Sequence, residues 1–237
     1  MTNTEPKKWD FALLKLAVQK VHGPHVAKKA YTSAESITRR MRHMHYHYRE
    51  VHRLIADPLS EASTGQALSE YVFPGSSVSS DNDVEDRRTK AEAHLLAFVQ
   101  ALHSVEDNLA HVIYYALNLG IDPKSFVEED KISFYAVKKR LSAGPLKNMM
   151  EEMSNDEELE HLRGLVNVSK HRNVVKAGLT VDFVNKKHGM TLAAFSYRGV
   201  EYKQVWATDF ITSTFNSTQE YVVDIGLQLN KELGVLS

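Results

Sequence analysis

The chain has 237 residues, 43% hydrophobic and 25% charged, with a net charge of −1, a composition ordinary for a soluble globular protein of one elaborated domain or two small ones. Near-zero net charge excludes a general electrostatic pull onto nucleic acid, and the absence of cysteine excludes disulfides, thiolate metal sites and cysteine nucleophiles. No apolar run approaches the roughly 20 residues of a membrane span, and the polar Met1 to Asp10 has no signal-peptide apolar region behind it; a cytoplasmic protein with no membrane partner is expected.

Residues 1–56 read as N-terminal helices. Phe11, Leu14, Val18 and Val21 recur at helical spacing, and Gly23-Pro24 breaks the first helix. A second helix is expected from about Thr32 or Ser33, with a stripe of Met41, Met44, Tyr48, Val51 and Ile55, ending at Asp57-Pro58. Residues 57–85 read as a long flexible loop, rich in Ser, Gly, Asp and Pro, with Tyr71 to Phe73 as an anchor. Residues 86–178 form a helical core. Its first helix runs from about Asp86 to Leu119 on a buried face of Leu95, Phe98, Leu102, Val105, Leu109, Val112 and Ala116, with Gly120 as the stop.

A helix over about Ile132 to Leu141 follows, then one from Gly144-Pro145 to about Met153. Ser154 with Glu157 resembles a capping box opening a helix that uses Leu162, Leu165, Val168 and Val175 on its apolar side and stops at Gly178. The period then changes to two over Leu179 to Val184, Met190 to Tyr197 and Glu201 to Trp206, giving a three-stranded antiparallel meander. Thr208 is expected to cap the last helix, so residues 179–237 form the meander and a C-terminal helix packing on the same domain.

Three constellations can carry chemistry. On the helix before the sheet, Arg163, Asn167 and His171 fall at i, i+4 and i+8, with Lys170 and Arg172 beside them. A histidine titrates near neutral pH and can relay protons in RNA cleavage, where the 2′-hydroxyl is the nucleophile and no metal is needed. Arginines can hold the scissile phosphate. The alternative is a polar helix seam. On the central helix His103, Asp107 and His111 repeat the same spacing. They read as a polar seam, with Asp107 accepting from a basic group on the Arg163–His171 helix, or less readily as divalent-metal ligands. The third, Arg39 to Arg53, interleaves cations with Tyr46 and Tyr48. Arg42 and Arg49, with Lys170, are the candidate RNA contacts, against a solvated helix face. No P-loop, GxGxxG, HExxH or GxSxG motif is present.

The helix Ala91 to Tyr115, followed by Leu162-Arg-Gly-Leu-Val-Asn-Val-Ser-Lys-His-Arg172, resembles the HEPN superfamily, in particular a bacterial branch with an Asn-x-x-Lys-His-Arg helix. The resemblance covers roughly residues 86 to 176. It implies a mainly α fold: a HEPN-like helical bundle that usually dimerises. Active members are metal-independent endoribonucleases of toxin–antitoxin, phage-defence and RNA-processing systems, and others are noncatalytic interaction modules. Their motif is Arg, a polar residue, three residues, then His. Asn167 and His171 match the polar residue and the histidine, whereas Val166 stands in the arginine slot; Arg172-Asn173 restarts the motif, but Ala177 takes its histidine position. The implied protein is a cytoplasmic homodimer acting on RNA, with an antitoxin or other protein as partner. On this reading His171 would be the acid/base and Asn167 would orient it or the substrate; Arg163 and Arg172 are expected to bind phosphate in place of the missing motif arginine, an inference from their position on the helix and not from the family. No cofactor or metal is expected.

Overall fold

The structure is a computed structural model and describes residues 7–60, 81–182, 184–185 and 187–235. These form helices α1 (Phe11–His22), α2 (Pro24–Ser60), α3 (Asp81–Ala116), α4 (Phe134–Arg140), α5 (Pro145–Asn155) and α6 (Glu157–His171). Strands β1 (Ala177–Asp182), β2 (Lys187–Leu192), β3 (Phe195–Tyr197), β4 (Val200–Tyr202) and β5 (Val205–Trp206) follow, then α7 (Ala207–Glu232). The chain is mainly helical, with a small three-stranded antiparallel sheet before the last helix, as expected. Among the described residues no helix is long and apolar enough to cross a membrane.

The chain divides into two compact units, each built from separated segments. One takes Met1–Met41, Leu102–Leu159 and Asn216–Ser237; the other takes Arg42–Ala101 and Glu160–Phe215.

In the first unit Asp10 caps α1, its Oδ1 accepting from the amides of Ala12 (2.7 Å) and Leu13 (3.1 Å). Leu14 and Val18 are buried as expected, but Val21 is 56% exposed. Gly23 ends α1 at φ 84°, and the proline behind it opens α2 eight residues or more before the expected start. A proline at the first helical position lacks only an amide that would have had no partner, so the pair that stops one helix also starts the next.

Helix α3 ends at Ala116 rather than Leu119. Asn118 takes the left-handed conformation (φ 52°), its amide bonds to Tyr115 O, and the Leu119 amide bonds to Tyr114 O. This is a Schellman stop with asparagine in the role expected of Gly120. The loop beyond is tied back by Tyr114, whose hydroxyl accepts from the Val127 amide and donates to the Val127 carbonyl, both at 3.1 Å. Asp156, not Ser154, caps α6: its Oδ1 accepts from the amides of Glu158 and Leu159 at 3.0 Å, while Ser154 accepts from Lys138 Nζ at 2.9 Å. Trp9 closes the unit against α7. Its indole lies so near Gly226 that a Cβ there would stand 2.0 Å from a ring carbon, and its Nε1 donates to Asn230 Oδ1 at 3.4 Å.

In the second unit α2 runs past Asp57-Pro58 to Ser60 and α3 begins at Asp81, so both ends of the expected 57–85 loop are helical. The rest of that loop, residues 61–80 with Tyr71 to Phe73, lies outside the described residues. Tyr48 stands among the rings of Phe98 and Phe215, with centroids 6.3–6.4 Å apart, and its hydroxyl bonds Thr212 Oγ1 at 3.1 Å.

Helix α6 stops at His171, well before Gly178, which is already in β1. The sheet has the order β1-β2-β5, with Leu179 opposite Met190 and Thr191 opposite Trp206. The expected second and third strands each split in two, around Ala193-Ala194 and Lys203-Gln204, and the inner pieces β3 and β4 form their own hairpin. The last helix starts at Ala207, one residue before its expected cap Thr208, whose carbonyl accepts from Thr212 Oγ1 instead.

Candidate functional site

Helix α6 carries the stripe, and its burial pattern sorts the residues. Leu162, Leu165, Val166 and Val168 are buried, with Val166 fully so. The slot where the resembled motif has arginine therefore points into the core, where an unpaired cation would be strongly disfavoured. Arg163 and Asn167 are half-buried on the next face, and the Asn167 amide donates to the Arg163 carbonyl at 2.8 Å. Lys170, His171 and Arg172 are exposed at the C-terminal end, where cations are favoured by the helix dipole.

The β3–β4 hairpin is seated on this helix. Phe195 and Tyr202 lie opposite each other and stack at 4.7 Å with planes 17° apart. Both rings meet His161 of α6, at 5.3 and 5.1 Å, and His161 also meets Phe210 at 4.9 Å. Gly164 admits the Tyr202 ring: a Cβ at residue 164 would stand 2.7 Å from Tyr202 Cζ. Burial holds the His161 imidazole below its usual range, and its Nε2 is buried without a hydrogen-bond partner. Burial and the Glu160 carboxylate push the Tyr202 phenol up, against a smaller pull from Arg163.

This seating brings the hairpin to the end of α6. The Arg172 guanidinium lies 5.4 Å from the Tyr197 ring centroid, and that of Arg198 lies 5.2 Å from it, both within cation–π range. Arg198 and Gly199 form a two-residue turn with φ 52° and 82°, the pattern of a type I′ hairpin turn.

The α2 segment separates into structural and exposed members. Tyr48 belongs to the core cluster, and Arg53 Nε and Nη2 donate to Glu50 Oε2 at 3.1 and 2.8 Å. His47 and His94 approach Nδ1 to Nδ1 at 2.9 Å, one ring donating to the other, with Tyr46 edge-on to both. Burial first, then the neighbouring His94 and His43, hold His47 below its usual range. Arg42, Tyr46 and Arg49 are exposed, and their i, i+4, i+7 spacing puts them on one side of the helix.

Among the described residues His103, Asp107 and His111 do not form a metal-ligand group. The Asp107 carboxylate accepts from the Phe134 amide (3.3 Å) at the start of α4. His111 Nδ1 donates to the Asp107 carbonyl at 2.8 Å. Among the described residues no group of three His, Asp or Glu side chains is placed to hold a metal ion. A cleft of about 430 Å³ lies on the sheet, lined in part by Thr180, Asp182, Thr191 and Trp206, and no stripe residue lines it.

Tyr197, Arg198, His161 and Gly164 are the site neighbours that sequence reasoning passed over. Gly164, in the interior of an apolar-periodic helix, was the available signal for a close approach. Comparisons of the chain with family models, curated proteins and solved structures found no match.

Proposed function

We propose that the chain is a HEPN-like protein acting on RNA, a metal-independent endoribonuclease whose contact point is the C-terminal end of α6. The observation that supports this best is the exposed His171 beside Arg172, whose guanidinium is held over Tyr197. An imidazole is suited to take the proton of a 2′-hydroxyl as that oxygen attacks the adjacent phosphorus. The O2′–P bond forms as the P–O5′ bond breaks, and protonation of the departing 5′-oxygen completes a cleavage that leaves a 2′,3′-cyclic phosphate. Arg172 supplies the phosphate-binding charge in place of the buried Val166, with Lys170 beside it. Arg163 sits a turn or more back, and Asn167 fixes the helix surface between them.

Incubating the chain with labelled single-stranded RNA in the presence of a chelator, and identifying the product ends, tests this. His171→Ala should abolish cleavage with unchanged circular dichroism, since the side chain is exposed. Undiminished cleavage by that variant, or none by the wild type, overturns the mechanism. The same reading includes a homodimer and an antitoxin-like protein partner in a defence or stress system, and sedimentation reads the first directly.

A second reading, a noncatalytic interaction module, draws on the Asn167 amide being used on its own helix and on the buried Val166. Under it wild type cuts no RNA, and Asn167→Ala lowers the melting temperature because a bonded amide is lost from a half-buried face.

A further inference from the structure

We propose that the β3–β4 hairpin is a stacking platform for single-stranded RNA, with a nucleobase lying on Tyr197 and the flanking phosphates held by Arg172 and Arg198. This rests on the reading of the α6 end as an RNA contact and names the form of RNA it takes.

Tyr197 is half-buried on a hairpin anchored elsewhere by the Phe195–Tyr202 stack, which holds its ring in place. Two exposed guanidiniums, Arg172 from α6 and Arg198 from the turn, lie within 5.4 Å of the ring centroid. An aromatic ring with two exposed cations over it suits an unstacked base, which stacks on the ring or on a guanidinium plane while the cations neutralise its neighbouring phosphates. Strand alternation puts Tyr197 on the same side as Phe195 and Tyr202, and Ser196 with Glu201 on the other, so the nearest carboxylate of the hairpin faces away.

The turn adds a separate argument. A type I′ turn with positive φ at both central residues favours asparagine, aspartate or glycine first, yet Arg198 holds that place at φ 52°. An unfavoured residue in a strained conformation points to a use for its side chain. A duplex, with its bases stacked inside, has nothing to lay on Tyr197.

Fluorescence anisotropy with a short 2′-O-methyl oligonucleotide, which lacks the nucleophilic hydroxyl, reads binding apart from cleavage. Wild type should prefer the single strand to the same strand annealed to its complement. Tyr197→Ala should weaken single-strand binding about 10-fold, with Tyr197→Phe restoring it because the ring suffices. Arg198→Ala should weaken all sequences similarly and lower the salt dependence by about one counterion. Thermal melts of each variant confirm that the hairpin anchor is intact.

Equal binding of duplex and single strand, a Tyr197→Ala variant as tight as wild type, or a Tyr197→Phe variant as weak as Tyr197→Ala overturns the platform. Tyr197-dependent binding without cleavage of ordinary RNA leaves the platform standing and removes the nuclease. Cleavage that is indifferent to Tyr197 does the reverse, and no binding or cleavage removes both.

Discussion

Replacing Gly164 by alanine tests how the hairpin is held on the candidate site. The added methyl would stand 2.7 Å from Cζ, 2.9 Å from Cε2 and 3.0 Å from the hydroxyl oxygen of Tyr202, well inside van der Waals contact. Two effects oppose each other. Alanine is favoured over glycine in a helix interior by about 1 kcal/mol. Against that, the ring cannot swing aside without disturbing its stack on Phe195 at 4.7 Å and its contact with His161 at 5.1 Å. Overpacking of this kind costs about 1–3 kcal/mol, and loss of an aromatic pair adds about 0.5–1.5 kcal/mol. The net expectation is a loss of about 0.5–3.5 kcal/mol, with a melting point lower by about 2–4 °C per kcal/mol at this chain length. Thermal and urea unfolding of wild type, Gly164→Ala, Tyr202→Ala and the double variant make a closed cycle. In the Tyr202→Ala background the obstructing atoms are gone, so Gly164→Ala should stabilise by about 1 kcal/mol. The same destabilisation with and without Tyr202 would refute the steric account.

Two further outcomes follow from the polar groups. His47, His52 and His161 of the second unit are all held below the ordinary histidine value of 6.5, burial being the first cause in each. The unfolded chain therefore takes up protons first, so this stability is present above pH 6.5 and is lost as pH falls through the lowered folded values. Urea midpoints should fall between about pH 7.5 and about pH 5.5 and fall less for His161→Phe; a flat profile would contradict this. Separately, Tyr114→Phe strips both partners from the buried Val127 amide and carbonyl. It should cost about 1–3 kcal/mol and speed hydrogen exchange at Val127, and wild-type exchange there would show that the hydroxyl is not what ties the loop.

The apolar faces were legible because period alone places them. All seven residues of the α3 stripe, from Leu95 to Ala116, are buried, as are Leu162, Leu165, Val168 and Val175. Helix ends were less so, because several residues compete to stop a helix: Asn118 ended α3 although Gly120 was two residues away, and Asp156 capped α6 although Ser154 had the expected spacing. The strand pattern was read correctly as period two and as an antiparallel meander, but period does not mark where a strand breaks, so the separation of the β3–β4 hairpin from the three-stranded sheet was missed. The site divided in the same way. The exposed end at His171 follows from helix phase, whereas the approach of Tyr197 depends on a contact across 25 positions of chain that no local spacing records.

The closure of Trp9 on Gly226 and Asn230 has a consequence for how the molecule forms. The Trp9–Asn230 bond joins residues 221 positions apart, and the first unit draws its remaining helices from Leu102–Leu159 in between. Contacts of such sequence separation are slow to find, since a large loop must close before any of them contributes. During synthesis the segment holding Trp9 is made before Asn216–Ser237, so its indole waits for Gly226 and Asn230 to follow. Neither unit corresponds to one uninterrupted stretch of chain, and halves expressed separately and then mixed would have to find each other before either could close.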